Sequence, residues 1–344
     1  MATIAEVARE AGVGVGTVSR VMNGSTAVRD ETRRRVLEAI ARLGYAPNAA
    51  ARALSSGRTA TIGVVAPFFT RASVMARLRG ISRTLDAGGY GLVLFDVERP
   101  EQAPTIFREL AGGGRVDAVL AITLCPEDDL LERFAAAGVP VVLVDGEHPR
   151  LPCVTIDDVA GGRLATEHLL DLGHERIGFL GDVEPMPARP ITRRLAGYEA
   201  ALHSAGLRPD PALVRRAEHG RDATVEATRE LLALADPPTA IFAASDDQAL
   251  AVLAAAGEAG VDVPGGLSVV GFDDVEVAHW AGLTTVAQPL EESGAQGAEL
   301  VLAALTGPPV RPRDLAVELI VRVTTAEPGR TRPRQLAARG SSYA

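Results

Sequence analysis

Near the amino terminus the apolar positions repeat with a helical period. Ile4, Val7, Ala8 and Ala11 fall at i, i+3, i+4 and i+7, which predicts a first helix over Ile4–Ala11. Thr3 followed by Glu6 has the spacing of a capping box, in which each side chain satisfies an orphan amide at the helix start. Gly12 supplies the stop. After the short Gly12-Val13-Gly14 turn, Val15–Met22 reads as a second helix with Val18, Val21 and Met22 turned inward, ended by Asn23 and Gly24. A third covers Asp30–Leu43, with Val36, Ile40 and Leu43 in register and Gly44 as its cap. Two short helices around a tight glycine-bearing turn, closed by a third, form either a generic three-helix bundle or a helix-turn-helix head. In the second case Thr17, Ser19, Arg20 and Asn23 lie on the outer face of the second helix, as groups suited to phosphates and base edges.

Tyr45-Ala46-Pro47 breaks this pattern, and Asn48–Ser55 reads as a short helix, marginal alone in water because nucleation is costly. From residue 60 onward short apolar runs alternate with helical stretches. The runs cover 61–66, 91–97, 116–122, 140–145, 176–181, 239–245 and 267–272, and helices are predicted over 158–172, 192–205 and 246–259, among others. Such alternation marks doubly wound parallel sheets covered by helices on both faces. Seven strands over this length imply two sheets, and in open sheets of this kind a ligand lies at the carboxyl ends of the strands. The cleft between two such subdomains is the expected site.

Composition narrows the function. With 344 residues, 47% hydrophobic and 23% charged, the chain has the make-up of a soluble globular protein of two or three domains. No run approaches the roughly 18 to 20 apolar residues of a membrane span, and the amino terminus lacks a charged-then-apolar export signal. A cytoplasmic protein without a membrane partner is expected. All 35 basic residues are arginine, so phosphate-loop lysines, Schiff-base lysines and pyridoxal chemistry are excluded together. Cys125 and Cys153 lack metal-site spacing, His168 and His174 show no metal pattern, and no G-x-S-x-G elbow occurs. No cofactor, no metal and no enzymatic activity are expected. Charge is divided unevenly: residues 1–60 hold nine arginines against five acids, a net of +4, and the rest nets −13. A small basic module on a large acidic body suits a head that meets a polyanion.

Specific motifs sharpen this. Thr3-Ile4-Ala5-Glu6-Val7-Ala8, Ala11-Gly12-Val13, Thr17-Val18-Ser19-Arg20-Val21-Met22-Asn23-Gly24, Glu31-Thr32-Arg33-Arg34-Arg35-Val36 and Leu43-Gly44-Tyr45-Ala46-Pro47-Asn48 resemble the lactose/galactose repressor (LacI/GalR) family. Gly161 to Leu170, Arg194-x-x-Gly197-Tyr198, Leu267 to Asp274 and Gln288-Pro289 resemble that family's periplasmic-binding-protein-like core. The resemblance implies a helix-turn-helix domain at 1–46 and a hinge helix and linker at 47–60. It implies an effector-binding and dimerisation core at 61–326, with subdomains 61–157 plus 289–318 and 158–288 plus 319–326. Residues 327–344 are expected to be a disordered basic tail.

In the head, the resemblance implies that Val15, Gly16 and Arg20 face base edges while Thr17, Ser19 and Asn23 fix the DNA backbone. In the hinge it implies that Leu54 wedges into the minor groove, with Asn48, Ala51 and Arg52 alongside. Two departures stand out: Gly14 and Arg29 occupy places where the family usually has serine. The effector contacts implied are Phe68 and Thr70 in the loop after the first strand, Arg194, Asp246 and Asp273. An arginine and carboxylates in a cleft suit a hydroxyl-rich ligand, so a carbohydrate is the leading effector class. The loop wording Pro67-Phe68-Phe69-Thr70-Arg71 departs from the family's usual Asn-Pro-Phe, Asp246 reads equally as a helix cap, Arg194 reads equally as an ion-pair partner, and Trp280 fits packing or cleft contact. The expected protein is a ligand-responsive repressor that binds a near-palindromic operator in double-stranded DNA as a homodimer, with a tetramer as the larger alternative. A sugar-binding receptor without a transcriptional role is the rival reading, opposed by the head and the missing export signal.

Overall fold

The computed structural model describes residues 2–22, 25–45, 58–183, 190–218, 220–307 and 312–329. The chain divides into two compact units, Met1–Ala60 and Thr61–Ala344.

In the first unit α1 (Ile4–Glu10), α2 (Val15–Met22) and α3 (Asp30–Leu43) enclose a small core. The capping box forms: the Glu6 amide donates to Thr3 Oγ1 at 3.3 Å, and the Thr3 amide donates to Glu6 Oε2 at 2.7 Å. Ala11 is the C-cap of α1 rather than its last helical residue. Gly44 takes the left-handed conformation, φ +58°, that closes α3. Arg29, at the N-cap of α3, makes no side-chain capping bond. Val7, Val18, Val36 and Ala39 are fully buried, with Ile4, Met22, Ile40 and Leu43 packed around them. The apolar faces read from the sequence are those that meet.

In the second unit β1 (Thr61–Pro67), β2 (Gly91–Val97), β3 (Ala118–Ile122), β4 (Val141–Val144) and β5 (Cys153–Ile156) belong to one sheet. A second contains β6 (Ile177–Asp182), β7 (Val214–Ala217), β8 (Ala240–Ala243), β9 (Ser268–Asp273) and β10 (Thr284–Ala287). Near the end of the described chain β11 (Arg313–Leu315) joins the first sheet and β12 (Glu318–Ile320) the second. The strand orders are β11-β5-β4-β3-β1-β2 and β12-β10-β9-β8-β6-β7. Of the described pairings only β12 on β10 is antiparallel. The chain therefore passes between the sheets after β5, after β10 and between β11 and β12.

The seven strands expected from apolar runs are present, and the reason is visible in β3 and β4, which are buried along their whole length as strands covered on both faces must be. On one face of the first sheet Ile62, Val64 and Leu120 pack on Ile81, Leu85 and Val301. On the other, Val65 and Val119 pack on Phe107 and Phe134. The remaining strands are short, and β7, β11 and β12 lie at sheet edges, where polar residues such as Arg215, Arg216, Arg313 and Glu318 are tolerated. The helices expected at 158–172, 192–205 and 246–259 occur as Asp158–Asp171, Pro190–Ser204 and Asp246–Glu258.

Two helix crossings fix the ground beneath the cleft. In the first subdomain the helices Ala72–Ala87 and Leu290–Thr306 meet backbone to backbone, and a Cβ at Gly294 would lie 2.1 Å from the carbonyl oxygen of Arg77. In the second, the helices Asp158–Asp171 and Pro190–Ser204 meet likewise, and a Cβ at Gly162 would lie 2.1 Å from the carbonyl oxygen of Arg194. Only glycine permits either approach. Among the described residues no helix is long and apolar enough to cross a membrane.

Candidate functional site

The head presents one candidate surface. Val15 is 45% exposed, Gly16 and Arg20 are exposed, and Thr17 and Ser19 are half-buried on the same helix, whose opposite face carries Val18 and Val21 into the core. A Cβ at Gly16 would meet nothing within 4 Å, so no internal packing demands glycine there. The Arg20 guanidinium folds back along α2, with Nε donating to the Gly16 carbonyl at 3.2 Å. Asn23, Asn48, Ala51, Arg52 and Leu54 lie outside the described residues.

The second unit holds a cavity of about 620 Å³ between its two sheets, at the carboxyl ends of the strands. Phe68 follows β1 with a left-handed backbone, φ +47°, and the Arg71 guanidinium lies 4.7 Å from the centre of its ring. Arg71 crosses the cleft to Asp182 at the end of β6, Nη2 to Oδ2 at 2.9 Å, and Asp182 Oδ1 also accepts from Gln248 Nε2 at 2.7 Å. Arg194 is 4% exposed and held on three sides. Its Nε donates to Asp158 Oδ1 at 2.8 Å, its Nη1 donates to the Ala244 carbonyl at 2.5 Å, and its guanidinium lies 3.7 Å from the centre of the Phe272 ring. Asp273, at the end of β9 with φ +118°, approaches Arg194 Nη1 at 3.7 Å and accepts from Gln288 Nε2 at 2.5 Å.

Electrostatics follow from this burial. Desolvation drives the carboxyls of Asp158 and Asp273 above the usual carboxylate range, although Arg194 pulls both down and Arg77 also pulls Asp273 down. Burial works against the charge on Arg194, but Asp158, Asp273 and Asp145 more than offset it and hold its pKa above normal. The site is a buried cluster of guanidinium and carboxylate, rich in directed donors and acceptors. Among the described residues no group of three or more His, Cys, Asp or Glu is placed to hold a metal ion.

The structure brings Phe68, Arg194 and Asp273 to the cavity wall and leaves two expected contacts away from it. Thr70 is exposed and outside the lining, because the chain turns after Phe68 and Arg71, not Thr70, reaches back to the cleft. Asp246 is fully buried but faces the protein: Oδ2 accepts from the Val275 amide at 2.9 Å and Oδ1 from Thr285 Oγ1 at 2.5 Å. Ser245, not Asp246, caps the helix, and the neighbouring Asp247 lines the cavity. Trp280 is 74% exposed and lines a separate groove with Met75, away from the cleft. Sequence reasoning missed Arg77, Asp145, Asp182 and Gln288. For the two aspartates a signal existed, since each stands at the carboxyl end of a recognisable strand.

The amino-terminal segment, residues 3–48, matches the family model described as bacterial regulatory proteins, lacI family, and residues 166–325 match that of a periplasmic binding protein-like domain. The transcriptional regulator CelR of Thermobifida fusca is 38% identical over 335 residues, spanning 93% of this chain and 97% of the relative. The chain belongs to the LacI family. Among other members, the ribose operon repressor of Escherichia coli K12 is 34% identical over 93% of this chain and 98% of its own length. A solved Lac repressor dimer bound to operator and the anti-inducer ONPF superposes with a TM-score of 0.83 at 29% identity, covering 94% of this chain and 99% of that one. A solved CelR–cellobiose complex gives a TM-score of 0.69 at 36% identity, covering 94% and 100%. This LacI-family chain is a DNA-binding transcriptional regulator, and the relatives named here are regulators rather than enzymes.

Proposed function

We propose that the protein is a dimeric repressor whose grip on a near-palindromic operator is set by a small carbohydrate in the cleft. The observation that carries this reading is the buried Arg194, held by Asp158 and standing beside Asp273 in the wall of the cavity between the two sheets, since a guanidinium and a carboxylate together suit sugar hydroxyls. Residues 1–46 act as the reading head, 47–60 as the hinge, 61–326 as the effector and dimerisation core, with subdomains 61–157 plus 289–318 and 158–288 plus 319–326, and 327–344 as a basic tail. Val15, Gly16 and Arg20 meet base edges, Thr17, Ser19 and Asn23 meet the DNA backbone, and Arg20 is suited to hold a guanine at two acceptors. Asn48, Ala51, Arg52 and Leu54 form the hinge contact, with Leu54 as the minor-groove wedge. Phe68, Arg194 and Asp273 contact the effector.

Self-association is supported by the groove that holds Trp280, 74% exposed, and Met75, 42% exposed, since large apolar side chains gathered in one exposed groove mark a surface for protein contact. A sugar acts by binding one arrangement of the two subdomains better than another, which shifts the population of hinge states able to hold DNA. Cellobiose, the sugar in the solved CelR complex, is the first sugar to try. Mobility-shift titration of Leu54→Ala against operator and random duplex tests the DNA half of the proposal. A loss confined mainly to operator binding is expected, and equal losses on both duplexes reject the wedge.

A further inference from the structure

Arg77 is buried as deeply as Arg194, 2% against 4% exposed, and lines the same cavity. The two arginines occupy matching places in the two subdomains. Each lies on the helix that follows the first strand of its sheet, three residues before a glycine: Arg77-Leu78-Arg79-Gly80 and Arg194-Leu195-Ala196-Gly197. Beneath each, a glycine of the neighbouring helix presses on the arginine's own carbonyl, Gly294 on Arg77 and Gly162 on Arg194. Each guanidinium holds a buried aspartate, Arg77 to Asp145 at 2.9 Å and Arg194 to Asp158 at 2.8 Å. Gln288 links the two halves, accepting from Arg77 Nη2 at 2.9 Å and donating to Asp273 at 2.5 Å.

Two observations select the ligand. First, the arginines of the described lining already face carboxylates: Arg71 pairs with Asp182, Arg77 with Asp145, Arg194 with Asp158, and Arg221 lies 3.7 Å from both Asp222 and Glu258. Among the described residues the lining holds these four arginines against five carboxylates, of Asp145, Asp182, Glu218, Asp247 and Asp273. At Arg77 and Arg194, whose ion pairs are buried, an anionic ligand would have to displace a carboxylate, and losing a buried partner is costly. Second, the Arg77 guanidinium lines the cavity and its buried Nε has no acceptor among the described residues, so its bonds to Asp145 and Gln288 leave donor capacity unused. A neutral ligand oxygen can accept from the cavity-facing part of such a guanidinium without displacing Asp145.

We infer that Arg77 is a second effector-contacting arginine, its guanidinium donating to a hydroxyl or ether oxygen, and that the cleft selects uncharged sugars over their acidic counterparts. This rests on the carbohydrate reading above and goes beyond it by fixing the charge of the ligand and adding a contact from the first subdomain. Isothermal titration of the full chain with matched pairs tests it: cellobiose against cellobionate, glucose against glucuronate and glucose 6-phosphate, ribose against ribose 5-phosphate.

One neutral sugar is expected to bind at least about tenfold more tightly than its acidic partner. Arg77→Leu should weaken that sugar by about tenfold or more. So should the double variant Arg77→Leu with Asp145→Asn, which removes both charges of the pair and so keeps a Tm close to that of the unaltered chain. Asp145→Asn alone, by releasing Arg77, should narrow the gap between neutral and acidic ligands, an effect that a purely structural role does not produce. Equal or tighter binding of an acidic member, or unchanged neutral binding by the double variant, overturns the inference and leaves the sugar reading standing. Failure of the unaltered chain to bind any sugar in the panel overturns the sugar reading and this inference with it.

Discussion

Gly162→Ala asks whether the helix crossing under Arg194 holds the effector site. The added methyl carbon would lie 2.1 Å from the Arg194 carbonyl oxygen, 2.8 Å from its carbonyl carbon and 2.9 Å from its Cα, all backbone atoms that no rotamer change can move aside. Ordinary carbon contacts begin near 3.5 Å, so the helices Asp158–Asp171 and Pro190–Ser204 must part by roughly an ångström or more. Overpacking of this kind costs about 1–3 kcal/mol. The displaced Arg194 also loses the geometry of its bonds to Asp158 at 2.8 Å and to the Ala244 carbonyl at 2.5 Å, so effector binding should fall even in molecules that remain folded. Urea unfolding of the full chain should show a lower midpoint with little change in slope, and titration with cellobiose at low urea should show weakened binding. An unchanged midpoint together with unchanged sugar affinity would mean that the crossing neither strains nor positions Arg194, and the reasoning would be wrong.

Other consequences follow from the same geometry. Arg20→Ala should cost about 1–3 kcal/mol on operator DNA and much less on random duplex; a uniform loss across sequences would assign Arg20 to phosphate contact instead. Burial pushes the Asp246 carboxyl up to about 8, whereas in the unfolded chain it ionises near 4, so the folded state holds a proton that the unfolded state releases. Stability contributed by this group is therefore present at low pH and lost as pH rises through that window. Asp246→Asn, which retains an acceptor for the Val275 amide and a polar contact for Thr285, should flatten the decline in Tm between pH 5 and pH 8, and an unaltered profile would remove Asp246 as its source. Trp280→Glu should shift the sedimentation coefficient from dimer toward monomer, while a variant as dimeric as the unaltered chain would place the interface elsewhere.

The parts of the fold that could be read from sequence are those set by local chemistry and by burial on both faces. Thr3 and Glu6 announced the start of α1, and the unbroken apolar run of Ala118–Ile122 announced a central strand. The strands that escaped, such as Val214–Ala217 with its two arginines, are short, and what makes them strands is the neighbour they lie beside. In the cleft the choice between Asp246 and Asp247 turns on helix phase, which Ser245 sets by taking the cap, and the choice between Thr70 and Arg71 turns on a left-handed Phe68. Arg77 was illegible because its partners, Asp145 and Gln288, are 68 and 211 residues away in the chain. Its likeness to Arg194 emerges only once both helices are seen to cross glycines in the same way.

Selection of bound fragments from a pool of random duplex DNA by the full chain, followed by fluorescence anisotropy of the enriched fragment with and without each sugar that binds the cleft, decides whether the protein is a sugar-controlled, operator-specific regulator. A near-palindromic fragment held about 10³-fold or more above random duplex is expected, with an affinity that a cleft-binding sugar changes. Enrichment of no sequence, or an enriched fragment whose affinity is indifferent to every sugar that binds, would contradict it.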